Sequence, residues 1–217
     1  MSSVIKTIFY PKSRKLRLIS RLVFGGLVGV VVLVGLVALI GILFKPYAFH
    51  GMVLQSPERA TNFTLTSHMG QPISLSDFKG QVVLLYFGYT TCPDVCPTTL
   101  AELKEARQLL GKRNDEVQVL MVTVDPERDT EPILADYVTH FDPSFIGLTG
   151  APEEIAEIAT YYGVFYERQE ADSALGYLVD HTATVMVIDR DGYLRLIYPY
   201  GTSAEDMAAD LDYMLNR

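Results

Sequence analysis

Val82-Val83-Leu84-Leu85-Tyr86-Phe87 runs through Gly88-Tyr89-Thr90 into Thr91-Cys92-Pro93-Asp94-Val95-Cys96-Pro97-Thr98-Thr99-Leu100. The first six residues are nearly continuously apolar, the mark of a central strand covered on both faces. Beyond the turn, Leu100, Leu103, Ala106 and Leu110 recur on one stripe, which predicts a helix from about Pro97 to Lys112. A buried strand that turns directly into an amphipathic helix makes this an α/β protein. The chain's only two cysteines stand on that turn.

The pattern extends on both sides. Phe63 to Thr66 alternates as a short strand would, with His68-Met69-Gly70 as a turn. Val117 to Val124 reads as a second buried strand, Thr130 to Phe141 as helix and Phe145 to Leu148 as a short strand. Pro152 to Tyr162 is a helix with proline in its first turn and Ile155, Ala159 and Tyr162 on one face. Thr182 to Ile188 and Tyr193 to Pro199 are strands joined at Asp191-Gly192, a strong hairpin signal. Ser203 caps a last helix that runs to Leu215. A parallel βαβ unit closed by an antiparallel hairpin and a helix is the thioredoxin-like order, with additions.

Pro97 removes a helical hydrogen bond and pushes Cys96 away from α geometry. Regular helix is therefore expected to begin at Pro97, with Cys96 near its N-cap and Cys92 in the preceding loop. The free N–H groups and positive dipole end of the helix should favour a thiolate, both nucleophile and metal ligand. Three intervening residues let both sulfurs converge on one point. The pair can close a disulfide, chelate a soft metal, or be buried and inert.

Of the four histidines, His50 and His68 read as exposed and idle, and His140 as a helix-end residue. His181, in Val179-Asp180-His181-Thr182, precedes the first strand of the late hairpin. In a thioredoxin-like sheet that loop faces the cysteine turn, and Leu175 to Ile188 carries no proline where thioredoxins place a cis-proline. A structural zinc site wants four protein ligands. Cys92, Cys96 and His181 with an open position suit copper instead: the sulfurs hold Cu(I), and the nitrogen helps hold Cu(II). Asp125-Pro126-Glu127-Arg128-Asp129 resembles a calcium loop, but Thr130 stands where that loop needs glycine. The segment reads as a strand end near the site, with Asp125 in a supporting role.

Upstream, Leu22 to Phe44 is 23 residues without a charge, long enough to cross a bilayer core of ~20 residues. A cleavable signal peptide is the rival reading. Its apolar region would be only ~7–15 residues, and no Ala-x-Ala-like site follows Phe44. Lys6, Lys12, Arg14, Lys15, Arg17 and Arg21 precede the span with no acid, so positive-inside asymmetry keeps this tail on the cytoplasmic side. The expected organisation is a basic tail over 1–21, an anchor over 22–44, a tether over 45–59 and the domain over 60–217. Residues 1–45 hold seven of the 18 Lys/Arg and none of the 26 Asp/Glu, leaving 11 against 26 and a net of −15 beyond them. Such acidity excludes nucleic acid as a partner and suits a basic partner or simple solvation. Two cysteines are too few for a disulfide framework, and ~170 residues can bury a core without staples.

The chain resembles the Sco/SenC family, membrane-anchored copper proteins needed to assemble the binuclear copper centre (CuA) of cytochrome c oxidase. The matching stretches are Phe-Thr-Leu-Thr at 63–66, Asp-Phe-Lys-Gly at 77–80, Leu-Tyr-Phe-Gly-Tyr-Thr at 85–90, Cys-Pro-Asp-Val-Cys-Pro at 92–97, Val-Asp-Pro-Glu-Arg-Asp-Thr at 124–130 and Asp-His-Thr at 180–182. The resemblance implies a thioredoxin-like domain facing the periplasm or mitochondrial intermembrane space from an inner-membrane single-pass anchor. It implies copper ligands at Cys92, Cys96 and His181. Its partners would be the copper-bearing oxidase subunit or another copper chaperone. Thr91 stands where many members carry His, and Thr61-Asn62 where Gly-Gly is expected; neither is a ligand position.

Three functions compete: a copper chaperone, a thiol–disulfide oxidoreductase acting through Cys92 and Cys96 to keep a target's cysteines reduced, and a thiol peroxidase. A peroxidatic cysteine follows Thr-x-x, but the residues three before Cys92 and Cys96 are Tyr89 and Pro93. His181 favours the first, because a pure reductase needs no third soft-metal ligand.

Overall fold

The computed structural model describes residues 14–43, 46–170 and 176–216. Most of the basic tail, together with Phe44 and Lys45, therefore lies outside the described residues. The chain divides into two compact units between Ala48 and Phe49. The first holds α1 (Arg14–Leu43), whose Arg21–Ile42 stretch is long and apolar enough to cross a membrane.

The second unit is an α/β sandwich of the expected thioredoxin-like kind. In chain order it contains β1 (Met52–Val53), β2 (Thr64–Ser67), β3 (Pro72–Ser74), β4 (Val82–Gly88), α2 (Val95–Leu109), β5 (Val117–Thr123), α3 (Glu131–Phe141), β6 (Ile146–Thr149) and α4 (Pro152–Tyr161). There follow β7 (Tyr166–Glu170), β8 (Tyr177–His181), β9 (Thr184–Ile188), β10 (Leu194–Pro199) and α5 (Ala204–Leu215). One eight-stranded sheet runs β1-β10-β9-β4-β5-β6-β2-β3, and β7-β8 form a separate hairpin.

The opening stretch sits at the centre, as its composition requires. All seven residues of β4 are buried. It pairs in parallel with β5, from Val82 opposite Val117 to Gly88 opposite Thr123, and antiparallel with β9. Side chains alternate across a strand. Tyr86 therefore turns toward Cys96 on α2, and Phe87 to the opposite face, where its ring lies 6.0 Å from that of Tyr162 after α4. The carboxyl ends of β4 and β5 thus open at one edge, the place where open α/β sheets present their sites.

Two expectations need correction. Helix α2 begins at Val95, two residues before Pro97, with Asp94 as N-cap. The first N–H groups of a helix have no intrahelical partner, so proline at the third position removes nothing. Cys96 is consequently inside the first turn. The stretch 45–59 is also not simply a tether. β1 pairs with β10, and the chain continues along the hairpin: Leu54 donates to Arg195, Leu194 to Glu58 and Ala60 to Gly192, each at 2.9–3.0 Å. β10 would otherwise be an edge with a row of unpaired N–H and C=O groups, a template for such pairing.

A candidate metal centre at the end of the central strand

Cys92 and Cys96 are free thiols, the first half-buried and the second buried. His181 is the last residue of β8, a strand rather than the expected loop, and its Nε2 lies 3.3 Å from Cys96 Sγ. The ligand atoms of Cys92, Cys96 and His181 all fall within 4.8 Å of one another, and no other such group was found among the described residues. Metal–ligand bonds of roughly 2.0–2.3 Å put two ligands of one ion about 3.5–4.5 Å apart. The three atoms are thus close enough that small side-chain rotations would bring them onto one ion. The second ring nitrogen, Nδ1, lies 3.3 Å from the Thr182 carbonyl. A neutral imidazole that donates there from Nδ1 would leave Nε2 free to ligate.

The two thiols are unequal. A hydrogen bond from the Cys96 thiol, joined by His181 and the N–H groups of Cys96 and Asp94, holds the Cys92 thiol far below its ordinary range despite burial. The Cys96 N–H lies 3.4 Å from Cys92 Sγ. The same thiol–thiolate bond, with burial, pushes Cys96 up. The helix N-terminus thus favours one thiolate, and it is the loop cysteine that receives it. A metal that takes both sulfurs displaces the Cys96 proton.

Several further residues build the site, and most of them lie in the stretches 85–90 and 124–130 without having been given a role there. The rings of Tyr86 and Tyr89 stand edge-on to the His181 imidazole, with centroids 6.1 and 5.8 Å away. The Tyr89 hydroxyl accepts the Val179 N–H at 3.2 Å. Asp129 is buried and accepts from the Thr90 N–H (3.0 Å), the Thr90 hydroxyl (2.6 Å) and the Thr123 hydroxyl (2.6 Å), which pins the cysteine loop to the end of β5. Gly88 packs beneath the sulfur: a Cβ there would meet Tyr86 Cε1 at 2.7 Å and Cys96 Sγ at 3.1 Å. The backbone is fixed by Val124 N–H donating to Gly88 O at 2.9 Å. Gly88→Ala should therefore cost about 1–3 kcal/mol of stability by overpacking and displace Cys96. Thermal unfolding and copper titration would show both effects; an unchanged midpoint would mean that Tyr86 yields freely.

The remaining histidines lie elsewhere, and two are not idle. Asp210 is buried and needs donors. It receives the N–H groups of His50 and Gly51 at 3.0–3.1 Å, and His50 Nδ1 lies 2.9 Å from its Oδ1. His68 Nδ1 accepts the Gly147 N–H at 3.1 Å. His140 is in the last turn of α3 with its ring edge-on to Phe141, as a helix-end residue should be.

Comparison with known proteins settles the family. The SCO1/SenC family model matches residues 53–216. The chain belongs to the SCO1/SenC family. It is 42% identical over 148 residues to the mitochondrial SCO2 homologue of Bos taurus, which covers 67% of this chain and 56% of that one. The chain spans little more than half the length of the mammalian relatives of this kind. Two solved SCO structures superpose on the domain. Copper-bound ScoI of Bradyrhizobium japonicum is 39% identical, with a TM-score of 0.67, covering 73% of this chain and 100% of that one. Apo Sco1 of Thermus thermophilus is 43% identical, with a TM-score of 0.70, covering 79% and 99%.

Proposed function

We propose that this protein is a membrane-anchored copper chaperone that holds one copper ion on Cys92, Cys96 and His181 and assists metallation of the CuA site of cytochrome c oxidase. The observation that carries the reading is the convergence of two thiols and one imidazole nitrogen within 4.8 Å. The set fits copper by its chemistry: soft sulfurs suit Cu(I), and the imidazole adds the nitrogen that Cu(II) favours. Relatives with copper bound, from Bradyrhizobium japonicum and Arabidopsis thaliana, support it. Full-length protein in detergent should bind one copper ion per chain. Introduced into cells that lack their own assembly factor of this family, it should restore an oxidase with a loaded CuA site. Stoichiometric binding without restored oxidase would leave a copper protein with another client.

The partner is then the copper-bearing oxidase subunit or another copper chaperone, and the acidic domain suits a basic docking face. The protein sits in the inner membrane through one span, with residues beyond it in the periplasm or intermembrane space. The basic residues before the span and the apolar run of α1 support that orientation. Protease added on the far side should digest residues 55–217 and spare the basic tail. A reporter fused after Arg217 that is active only in the cytoplasm would contradict it.

A second reading, thiol–disulfide oxidoreductase, is favoured by one observation. A thiolate at Cys92 beside a protonated Cys96 is the pairing that a nucleophile and a resolving thiol require.

A further inference from the structure

His181 is carried by a hairpin in whose two strands only Val179 is buried, its N–H donating to the Tyr89 hydroxyl at 3.2 Å. The β7–β8 hairpin pairs only with itself, and four of the five residues of β7 are exposed. A lone two-stranded hairpin is marginally stable in water. Yet the Cys92–Cys96–His181 cluster requires the end of β8 to be placed to within a fraction of an ångström.

A second tie holds the hairpin at Tyr177. Its ring is sandwiched between the guanidinium groups of Arg128 and Arg168, each 3.6 Å from the ring centroid. Its hydroxyl donates to Asp125 Oδ1 at 2.7 Å, and its carbonyl accepts from Arg128 Nη1 at 3.0 Å. Arg128 Nε in turn donates to Asp125 Oδ2, and Asp125 is buried. The Asp125 N–H donates to the Thr123 hydroxyl at 2.9 Å, and that hydroxyl donates to Asp129, which holds Thr90. An unbroken run of hydrogen bonds thus joins the loop bearing Cys92 to the strand bearing His181.

We propose that Asp125, Arg128 and Tyr177 form a latch that holds His181 against the cysteine pair, which makes them positioning residues for the imidazole's part in copper binding. The proposal rests on the copper reading above. Releasing the latch leaves both sulfurs in place, so Cu(I), held mainly by thiolates, changes little. Cu(II) depends on the imidazole and weakens.

The test is a double-mutant cycle on full-length protein in detergent, with Cu(I) and Cu(II) affinities measured separately by chelator competition. Tyr177→Ala removes the stack and the Asp125 bond; Tyr177→Phe removes the bond alone and keeps the ring. Tyr177→Ala should weaken Cu(II) by about 10- to 100-fold, the usual loss when a residue that orients a metal ligand is removed. Tyr177→Phe should give a smaller loss in the same direction. Both should leave Cu(I) affinity nearly at the wild-type value. In a His181→Ala background, Tyr177→Ala should have no further effect on Cu(II), because the latch acts only through the imidazole. Equal losses for the two oxidation states, or an undiminished loss in the His181→Ala background, would overturn the latch while leaving the copper site intact. Wild-type protein that binds no copper, or a His181→Ala variant indistinguishable from wild type, would overturn the copper reading and the latch with it.

Discussion

Full-length protein carrying Cys92→Ser or Cys96→Ser is expected to lose Cu(I) binding to below detection, while the wild type takes up one ion per chain. In the proposed site the sulfurs are two of three ligands, and serine oxygen is a hard donor that Cu(I) does not favour. Oxidation should have the same effect, since a Cys92–Cys96 disulfide leaves neither thiolate; copper and disulfide exclude each other. Loss of binding by unfolding is distinguishable by thermal denaturation: Cys92 is only half-buried, so Cys92→Ser should unfold near the wild-type temperature. A Cys92→Ser, Cys96→Ser double variant that binds copper with undiminished affinity would show that the site lies elsewhere.

The second large effect is His181→Ala. This substitution leaves both sulfurs in place. Cu(I) should weaken modestly and Cu(II) much more, because Cu(II) favours nitrogen and a more planar ligand set. The reduction potential of the dithiol should move little, since it is governed by the thiols and the helix N-terminus. The variant should therefore fail at copper delivery while still reducing a model disulfide. Equal loss of both activities would show that His181 supports the fold. Full retention of oxidase assembly would favour the oxidoreductase reading.

The parts of the molecule legible in its sequence are those where one residue pattern has one physical solution. Val82 to Phe87 is too apolar to be anything but an inner strand, and Asp191-Gly192 between two strands admits little besides a hairpin turn, with Gly192 at φ 85°. The cysteine turn and His181 were legible because thiols and imidazole at strand ends have few structural uses. The β7–β8 hairpin is not: Tyr166-Glu167-Arg168-Gln169-Glu170 shows no apolar alternation, because four of its five residues are exposed and the hairpin is fixed through β8, by buried Val179 and by Tyr177 between two arginines. Pro97 marks a helix boundary only by pattern; it occupies a first-turn position, so α2 starts two residues earlier, at Val95. Residues 50–60 looked irregular because backbone pairing to β10 and donation to Asp210, rather than side-chain periodicity, dock them. Asp129 is visible in a failed calcium loop and in a stretch shared with the family; its acceptor role depends on Thr90, 39 residues away, and Thr123.

X-ray absorption at the copper edge of the copper-loaded, full-length protein tests the central claim most directly. The account predicts two sulfur ligands and one imidazole nitrogen per copper, with the nitrogen signal lost in His181→Ala and both sulfurs retained. A copper environment without sulfur, or one unchanged by removing His181, would contradict it.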